Sequence, residues 1–219
     1  STIVPRPHLG YKGGMLDRLD DIEDIARAAA EVGVSHFGHV EAERKADGTV
    51  VTAADRAMQR LIVERLRALE PDPARLYILA EEEQGELNPG VARPEDADLV
   101  AAVDPLDGTS SFAAGLPLWA VSIGFLQNSR PVAGVVLTPL LGGPQGWCYR
   151  AGPHDPATRN GQPLRPRASH DWDDVDQIGV PSGFHKWARI RGFTGKLRSL
   201  GSTAHHLCLV AAGGLDAIV

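Results

Sequence analysis

The chain has 219 residues, of which 43% are hydrophobic and 23% are charged, and its formal net charge is −6. This composition is typical of a folded protein, and the length suits one large domain or two closely packed subdomains. An acidic chain whose basic residues are scattered is a poor nucleic-acid binder, so we expect no nucleic-acid partner. No apolar run approaches the ~20 residues of a membrane span, and two cysteines cannot form a disulfide framework. We therefore expect a cytoplasmic protein with no membrane contact.

Two helices are predicted in the N-terminal part of the chain. Residues 1–14 are rich in proline and glycine and are expected to form an arm. Apolar residues then recur at helical spacing over 15–32, and Gly33 is predicted to end this first helix. Thr52 is predicted to cap a second helix, which Pro71 stops.

Short apolar segments predict the strands. They lie at residues 76–79, 99–103, 119–126, 132–137, 146–149, 177–180 and 215–219. The segment 128–131, Asn-Ser-Arg-Pro, is typical of a hairpin between the third and fourth of these strands. Ser202 is predicted to cap a last helix that runs through Ala211. Helices that alternate with mostly hairpin-linked strands indicate an α+β protein.

The most informative segment is Asp-Pro-Leu-Asp-Gly-Thr at residues 104–109, which follows a predicted buried strand directly. Its proline fixes one backbone angle and its glycine permits a tight turn. We therefore expect both carboxylates and the Leu106 carbonyl on one side of a rigid loop. Hard oxygen ligands of this kind suit Mg²⁺, Mn²⁺ or Ca²⁺. Asp104, Leu106 and Asp107 are accordingly candidate metal ligands.

An anion site is expected beside this metal site. If a helix begins near Ser110, its first amide groups are free to bind an anion, and Thr109 adds a hydroxyl group. Cation and anion sites in contact are what phosphoryl transfer needs. Because a nest of carboxylates repels phosphate, a phosphate-handling site here has to be loaded with a divalent ion.

The spacing alone leaves other interpretations of the acidic residues open. Asp107 and Gly108 are also typical of a simple turn, and Asp104 of a cap. The three glutamates at 81–83 are typical of a solvated loop, although carboxylates that follow a buried strand also occur at catalytic sites. Asp55, in the first turn of the second predicted helix, is equally explained as an acid that offsets the helix dipole.

Five segments, in order along the chain, resemble the motifs of the inositol monophosphatase family of Mg²⁺-dependent, lithium-sensitive phosphatases. They are Lys45…Val51-Thr52-x-x-Asp55, Ile78-Leu-Ala-Glu81-Glu82 with alanine where the family usually has glycine, Asp104-Pro-Leu-Asp-Gly-Thr109, Asn160-Gly161, and Gly201-Ser-Thr-Ala204…Leu209-Val-Ala-Ala-Gly-Gly214-Leu-Asp216-Ala. The resemblance covers residues 15–219, nearly the whole chain. The sequence is therefore identified as a member of this family.

The resemblance implies a role around the metal ions for several matching residues. Glu81 would be a metal ligand and would help to position the attacking water. Asp104 would bridge two metal ions, with the Leu106 carbonyl on one ion and Asp107 on the other. Thr109 would orient the water together with Glu81. Asp55 would support Thr109 or a metal-bound water.

The resemblance also implies contacts with the substrate. The amides of Gly108 and Thr109, with those of a helix that begins near Ser110, would hold the phosphate. Lys45 lies near the site in the family without a fixed role. The candidates on the side of the substrate alcohol are Asp107, Ser202 and Thr203.

The fold that the resemblance implies is a layered αβαβα sandwich of the inositol monophosphatase and fructose-1,6-bisphosphatase type. An N-terminal α+β subdomain at 15–138 would carry most metal ligands, and an α/β subdomain at 139–219 would follow. The family implies two or three Mg²⁺ ions, with Mn²⁺ as a substitute, Ca²⁺ or Li⁺ as inhibitors, and a homodimer. It implies in-line attack by a metal-activated water on a small phosphate monoester, without a covalent phosphoenzyme.

The resemblance leaves several substrates open. An inositol monophosphate is the first candidate. Histidinol phosphate is a close second, because a Ser-Phe…Gly-x-Pro run at 111–117 is also seen in histidinol-phosphate phosphatases. The family also includes enzymes for 3′-phosphoadenosine 5′-phosphate and fructose 1,6-bisphosphate, and the former is disfavoured by the residues that follow Thr109.

One departure from the family concerns the C-terminal part of the sequence. The family has a Trp-Asp motif whose aspartate completes the second metal site, and the sequence reaches Val219 without it; Trp172-Asp173 stands in a different context. We therefore expect the subdomain at 139–219 to be incomplete. This departure favours a second hypothesis, that the protein is non-catalytic and binds phosphorylated metabolites or serves as a scaffold.

Zinc binding at His205–Cys208 is disfavoured, because a four-ligand set needs further partners.

Overall fold

The computed structural model describes residues 14–38, 42–44, 50–81, 87–168, 171–186, 188 and 191–219. Within these residues the α-helices are α1 (Leu19–His36), α2 (Ala53–Leu69), α3 (Thr109–Ala113) and α4 (Thr203–Ala211). The strands are β1 (Ala42–Arg44), β2 (Val50–Thr52), β3 (Leu76–Ala80), β4 (Leu99–Asp107), β5 (Ala120–Gln127), β6 (Arg130–Thr138), β7 (Trp147–Ala151), β8 (Thr158–Arg159), β9 (Gln162–Pro163), β10 (Gln177–Gly179), β11 (Lys196–Arg198) and β12 (Ala217–Ile218). Short 3-10 helices cover Met15–Asp17, Pro94–Asp96 and Phe184–Lys186.

The described strands form one large sheet and two small ones. Seven strands pair in the order β3-β4-β5-β6-β7-β8-β9. β3 and β4 are parallel, and each later pair is antiparallel. β10 lies between β11 and β12 in a parallel three-stranded sheet, and β1 pairs with β2. Because β3 and β4 are parallel, their carboxyl ends meet at the same edge of the large sheet.

Helices cover both faces of the seven-stranded sheet. Side chains alternate along β7: the Cys148 thiol lies near Arg27 of α1, whereas Trp147 and Tyr149 pack against His205 of α4. α4 also packs against β12 of the three-stranded sheet. The described residues thus form four successive layers, which are α1 with α2, the large sheet, α4, and the three-stranded sheet.

The main core lies between the α1–α2 pair and the seven-stranded sheet. Its helical contribution comes from the apolar faces that the sequence predicts. Phe112, Trp119 and Phe125, which we also expect in the core, are each at most 1% exposed. The rings of Phe112 and Trp119 pack edge to face, with their centroids 5.3 Å apart. This pair fixes α3, and with it the segment 104–109, against the core.

The predicted boundary at residue 138 falls within the seven-stranded sheet. β6 ends at Thr138, but it pairs with β7, and the sheet continues to Pro163. The three-stranded sheet begins at Gln177 and has a small apolar cluster of its own. We therefore propose that the chain divides within residues 164–176, between the two sheets.

Parts of the prediction lie outside the described residues. These are residues 1–13 of the predicted arm, Lys45, and the second and third glutamates of the run at 81–83. Among the described helices, none combines the length and the apolar character that a membrane crossing needs.

The first helix does not end at Gly33, and this prediction is wrong. α1 continues to His36, and Gly33 is buried within it. A β-carbon at Gly33 would lie 2.7 Å from Cη2 of Trp119 and 2.9 Å from Sδ of Met58. Glycine is therefore needed here for the close approach of the Trp119 ring, and it does not act as a helix terminator.

Replacing Gly33 with alanine is expected to destabilise the protein. Alanine favours the helix by up to about 1 kcal/mol, but the new methyl group displaces the Trp119 ring, an overpacking cost of about 1–3 kcal/mol. Urea unfolding measures the net change. Gly124→Ala is the control, because a β-carbon at Gly124 meets nothing within 4 Å. A Gly33→Ala variant at least as stable as the wild type would contradict the packing role.

Candidate active site

β4 is longer than the sequence predicts and includes most of the segment 104–109. The sequence predicts a strand that ends before Asp104, whereas β4 runs to Asp107. Asp104 opposes Ser122 and Asp107 opposes Ala120, so one extra residue is accommodated as a β-bulge. Pro105, which cannot donate to a ladder, lies within this bulge. The predicted rigid turn is thus built into the end of a paired strand.

Glu81 and Asp104 form a carboxyl pair at the ends of the parallel strands. Glu81 follows β3 directly, and its amide donates to the Val103 carbonyl at 3.2 Å. A hydrogen bond with the Glu81 carboxyl group favours the protonated form of Asp104. Burial, and then the negative charges of Glu81 and Asp107, raise the pKa of Asp104 to about 8. A hydrogen bond of 3.0 Å from the Leu106 amide to Oδ1 of Asp104 acts in the opposite direction.

Asp107 is held by the first turn of α4. Its Oδ2 atom accepts hydrogen bonds from Oγ of Ser202 at 2.7 Å and from the amide of Ala204 at 2.6 Å. Oγ of Ser202 also accepts a bond of 3.0 Å from the His205 amide, so Ser202 caps α4 as the sequence predicts. A carboxylate at a helix N-terminus is stabilised by the free amides and by the helix dipole. Asp107 therefore joins the end of β4 to α4.

Thr109 lies between Asp55 and the Leu106 carbonyl. Its Oγ1 is 3.1 Å from Oδ1 of Asp55 and 3.0 Å from the carbonyl oxygen of Leu106. The other oxygen of Asp55 accepts from the amide and hydroxyl of Thr52, which closes a capping box on α2. Burial raises the pKa of Asp55 even though these hydrogen bonds lower it. Asp55 thus does more than offset a helix dipole, because it also holds Thr109.

Gly108 has a backbone conformation and a close contact that suit only glycine. Its φ is 100°, and a β-carbon there would lie 2.8 Å from the Leu118 carbonyl oxygen. α3 begins at the next residue. The first amides of this helix, those of Thr109 and Ser110, have no acceptor within the helix. The predicted helix start near Ser110 is therefore confirmed, and Ser110 itself is exposed.

Ser202 and Thr203 occupy different environments. Ser202 is fully buried, and its hydroxyl is engaged by Asp107 and the His205 amide. Thr203 is exposed at the first position of α4. The sequence analysis missed the contribution of Ala204, because a backbone amide leaves no mark on residue type; its place in the first turn after Ser202 is the one available signal.

The described residues offer oxygen donors without a preformed cluster of three side chains. No three histidine, cysteine, aspartate or glutamate side chains converge as a metal site among them. The donors in place are the Glu81–Asp104 pair, the Leu106 carbonyl and Asp107. A divalent ion would replace a proton shared by the carboxyl pair, and oxygen donors are those that Mg²⁺ prefers. The chemistry of the donor set therefore fits a divalent ion.

The His205–Cys208 segment belongs to no metal cluster within the described part of the chain. Nε2 of His206 accepts a hydrogen bond of 2.9 Å from the Leu200 amide. Both ring nitrogens of His205, in contrast, are buried near the Trp147 ring without a partner among the described residues. Burial lowers the pKa of His205 to about 4. His205 is therefore a neutral core residue at physiological pH.

The fold and the site together define a class of protein. A carboxyl pair next to a helix start, in a layered α+β sandwich, suits a metal-dependent phosphatase. Residues 16–219 match the model of the inositol monophosphatase family, and the chain belongs to this family, whose members are generally metal-dependent. The family resemblance and the α+β sandwich fold inferred from the sequence are thereby confirmed.

The chain is similar to proteins from several organisms. A Thermotoga maritima protein named fructose-1,6-bisphosphatase/inositol-1-monophosphatase is 30% identical over 211 residues, which are 93% of this chain and 75% of the relative. The Nus factor SuhB of Escherichia coli K12 is 32% identical over 186 residues, or 81% of this chain and 65% of the relative. A solved IMPase structure from Thermotoga maritima has a TM-score of 0.75 and 28% identity, and the match covers 91% of this chain and 74% of that one.

Asp104→Asn is expected to weaken the pH dependence of stability in the metal-free protein. The pKa of Asp104 is about 8 in the folded state against an ordinary value of 3.8. Between these values the unfolded chain releases a proton that the folded chain retains, so stability falls as pH rises. Asparagine does not titrate, so the Asp104→Asn variant lacks this decrease in stability.

Urea unfolding at several pH values between about 5 and 8, in the presence of a chelator, measures this effect. Asp96→Asn is the control, since Asp96 is an exposed carboxylate paired with Arg93. An Asp104→Asn variant that loses stability with pH as steeply as the wild type would contradict the assigned pKa.

Proposed function

We propose that this chain hydrolyses a small phosphate monoester in a metal-dependent reaction, with an inositol monophosphate as the first candidate substrate. The observation that carries the proposal is the Glu81–Asp104 carboxyl pair, which the turn at Gly108 joins to the start of α3. A cation site next to an anion site is what phosphoryl transfer needs. Membership of the inositol monophosphatase family supports the same reaction class.

The proposed metal ligands are Glu81, Asp104, the Leu106 carbonyl and Asp107. They would hold two or three Mg²⁺ ions, with Mn²⁺ as a substitute and Ca²⁺ or Li⁺ as inhibitors. When bound, the ions supply a water of lowered pKa and offset the charge of the leaving alkoxide. Asp104 is suited to bridge two ions, because the negative charges of both Glu81 and Asp107 raise its pKa and it therefore lies near both proposed ligands. Loading requires that the carboxyl pair lose its proton.

Thr109 is proposed to orient the attacking water together with Glu81. A hydroxyl group has one hydrogen to donate and two lone pairs that accept. Asp55 and the Leu106 carbonyl are both placed to take that hydrogen, which leaves the lone pairs of Thr109 for a water. Asp55 is rigid in this role because its other oxygen caps α2.

The phosphate is proposed to lie against the start of α3. The amides of Gly108, Thr109 and Ser110 are the first of that turn, and free amides bind anions. The left-handed backbone at Gly108 lets the chain turn directly from β4 into α3. The phosphate would thus sit next to the metal ligands without contact with their carboxylates.

The alcohol side of the substrate is proposed to lie near α4. Thr203 is exposed at its first position, and Asp107 is bonded to its first turn. Ser202 is fully buried, so we propose that it supports Asp107 rather than touching the substrate. Specificity would then depend on Asp107, Thr203 and the residues around them.

Several finer points remain proposals of the same kind. Histidinol phosphate and 3′-phosphoadenosine 5′-phosphate are the alternative substrates, and a cytoplasmic homodimer without a nucleic-acid or membrane partner is the proposed form. A second candidate function is that of a non-catalytic protein that binds phosphorylated metabolites or acts as a scaffold. The similarity to a protein named as a Nus factor favours keeping it.

Phosphate release against Mg²⁺ concentration tests the proposal. We expect Mg²⁺-dependent release from inositol 1-phosphate, histidinol phosphate or 3′-phosphoadenosine 5′-phosphate. Asp104→Asn should lower the turnover of that substrate by at least about 100-fold, since it removes a proposed ligand of the metal ions that stabilise the transition state. Asp96→Asn should leave turnover unchanged. No release from any of the three substrates at saturating Mg²⁺ would favour the scaffold hypothesis, and full activity of Asp104→Asn would refute the assigned site.

A further inference from the structure

Asn88 takes the place of a neighbouring strand beside β3. β3 is an edge strand of the seven-stranded sheet, with β4 on its inner side. On its outer side, the Ile78 amide donates to Oδ1 of Asn88 at 2.7 Å, and Nδ2 of Asn88 donates to the Ile78 carbonyl at 2.9 Å. One side chain therefore satisfies both outward backbone groups of Ile78, as a paired strand would.

Arg67 holds Asn88 in this position. Arg67 lies in the last turn of α2, and its guanidinium donates to Oδ1 of Asn88 at 2.7 Å and to the Leu87 carbonyl at 2.9 Å. It also donates to the Leu76 carbonyl of β3 at 2.6 Å. The planar fork of arginine orients all three acceptors at once. We call Arg67, Asn88 and the β3 carbonyls and amide that they bind the edge clamp.

The edge clamp lies next to the proposed metal site. Ile78 is three residues before Glu81, and Glu81 is the residue whose carboxyl group pairs with Asp104. On the inner side, the Glu81 amide donates to the Val103 carbonyl. The end of β3 is thus held on both sides, by β4 and by Asn88. Asn88 follows Glu81 by seven residues and contacts the same strand, so the clamp and Glu81 are also close in sequence.

We propose that Asn88, held by Arg67, is a positioning residue for Glu81, an inference that rests on the proposed metal-dependent function. Loss of the clamp frees the outer side of β3 just before Glu81 and lets its carboxylate move relative to Asp104. Outer partners that orient metal ligands typically change metal affinity by about 10- to 100-fold when they are removed. Asn88 does not touch the metal or the substrate in this role.

Asn160 provides a matched control for Asn88. Its Oδ1 accepts from the Cys148 amide at 2.7 Å and its Nδ2 donates to the Gly146 carbonyl at 2.9 Å, which is the same chemistry at the turn between β8 and β9. That turn lies at the other end of the strand order from β3. Because the φ of Asn160 is 49°, alanine there is also strained. Asn160→Ala is therefore at least as disruptive locally, but it is remote from Glu81.

The test is the affinity for Mn²⁺ alone, measured by titration calorimetry on the whole chain, with the fold of each variant checked by circular dichroism. We expect Asn88→Ala to bind Mn²⁺ about 10-fold or more weakly, and Asn160→Ala to bind like the wild type. Arg67→Met should also weaken binding, and it serves as the second variant should Asn88→Ala fail to fold. In the double variant the two effects should be less than additive, because both residues act through one clamp.

The outcomes separate this inference from the proposed function. Mn²⁺ binding by Asn88→Ala and Arg67→Met that equals the wild type overturns the positioning role and leaves the function untouched. Equal weakening in Asn88→Ala and Asn160→Ala also overturns it, because the loss then reflects general destabilisation. A wild-type chain that binds no Mn²⁺ overturns both. Weakening confined to the clamp variants supports the assignment.

Discussion

The negative charges of Glu81 and Asp107 act on the carboxyl group of Asp104 near the end of β4, and this repulsion is the constraint on which the surrounding structure depends. Asp104 keeps a proton, because burial and its two neighbours raise its pKa to about 8. Asp107 takes hydrogen bonds from the first turn of α4, which joins the second sheet's helix to the end of β4. Asn88 supports β3, which ends just before Glu81. Such a set is costly without a cation, and the proposed metal ion would offset that cost.

The features that follow from local rules are predictable from the sequence. The spacing of apolar residues gives α1 and α2, and the hydroxyl residues Thr52 and Ser202 mark the starts of α2 and α4 because caps depend on residues within one turn. The hairpin predicted at 128–131 is present, with Asn128 and Ser129 as its two loop residues at φ of 51° and 60°. The layered fold itself is not predictable from periodicity; it comes from the ordered motifs, of which the segment 104–109 is the most informative.

The features that the sequence does not reveal depend on contacts between distant residues. Gly33 looks like a helix terminator until the Trp119 ring is seen against it. The three-residue strands β1, β2 and β11 are too short for a periodic signal. Asn88 is a single polar residue in a loop, and its role arises from pairing with Ile78 across ten residues. The ring nitrogens of His205 have no hydrogen-bond partner among the described residues, because the side chains of β7 that it packs against are aromatic.

Proton release on metal binding is the measurement that tests this account most directly. If the carboxyl pair of Glu81 and Asp104 holds a proton that a divalent ion replaces, binding of Mg²⁺ or Mn²⁺ near pH 7 releases about one proton. Titration calorimetry in two buffers of different ionisation enthalpy counts that proton. We expect proton release by the wild type and a clear reduction in Asp104→Asn. Metal binding without proton release near pH 7 would contradict the assignment of the Glu81–Asp104 carboxyl pair as the metal site.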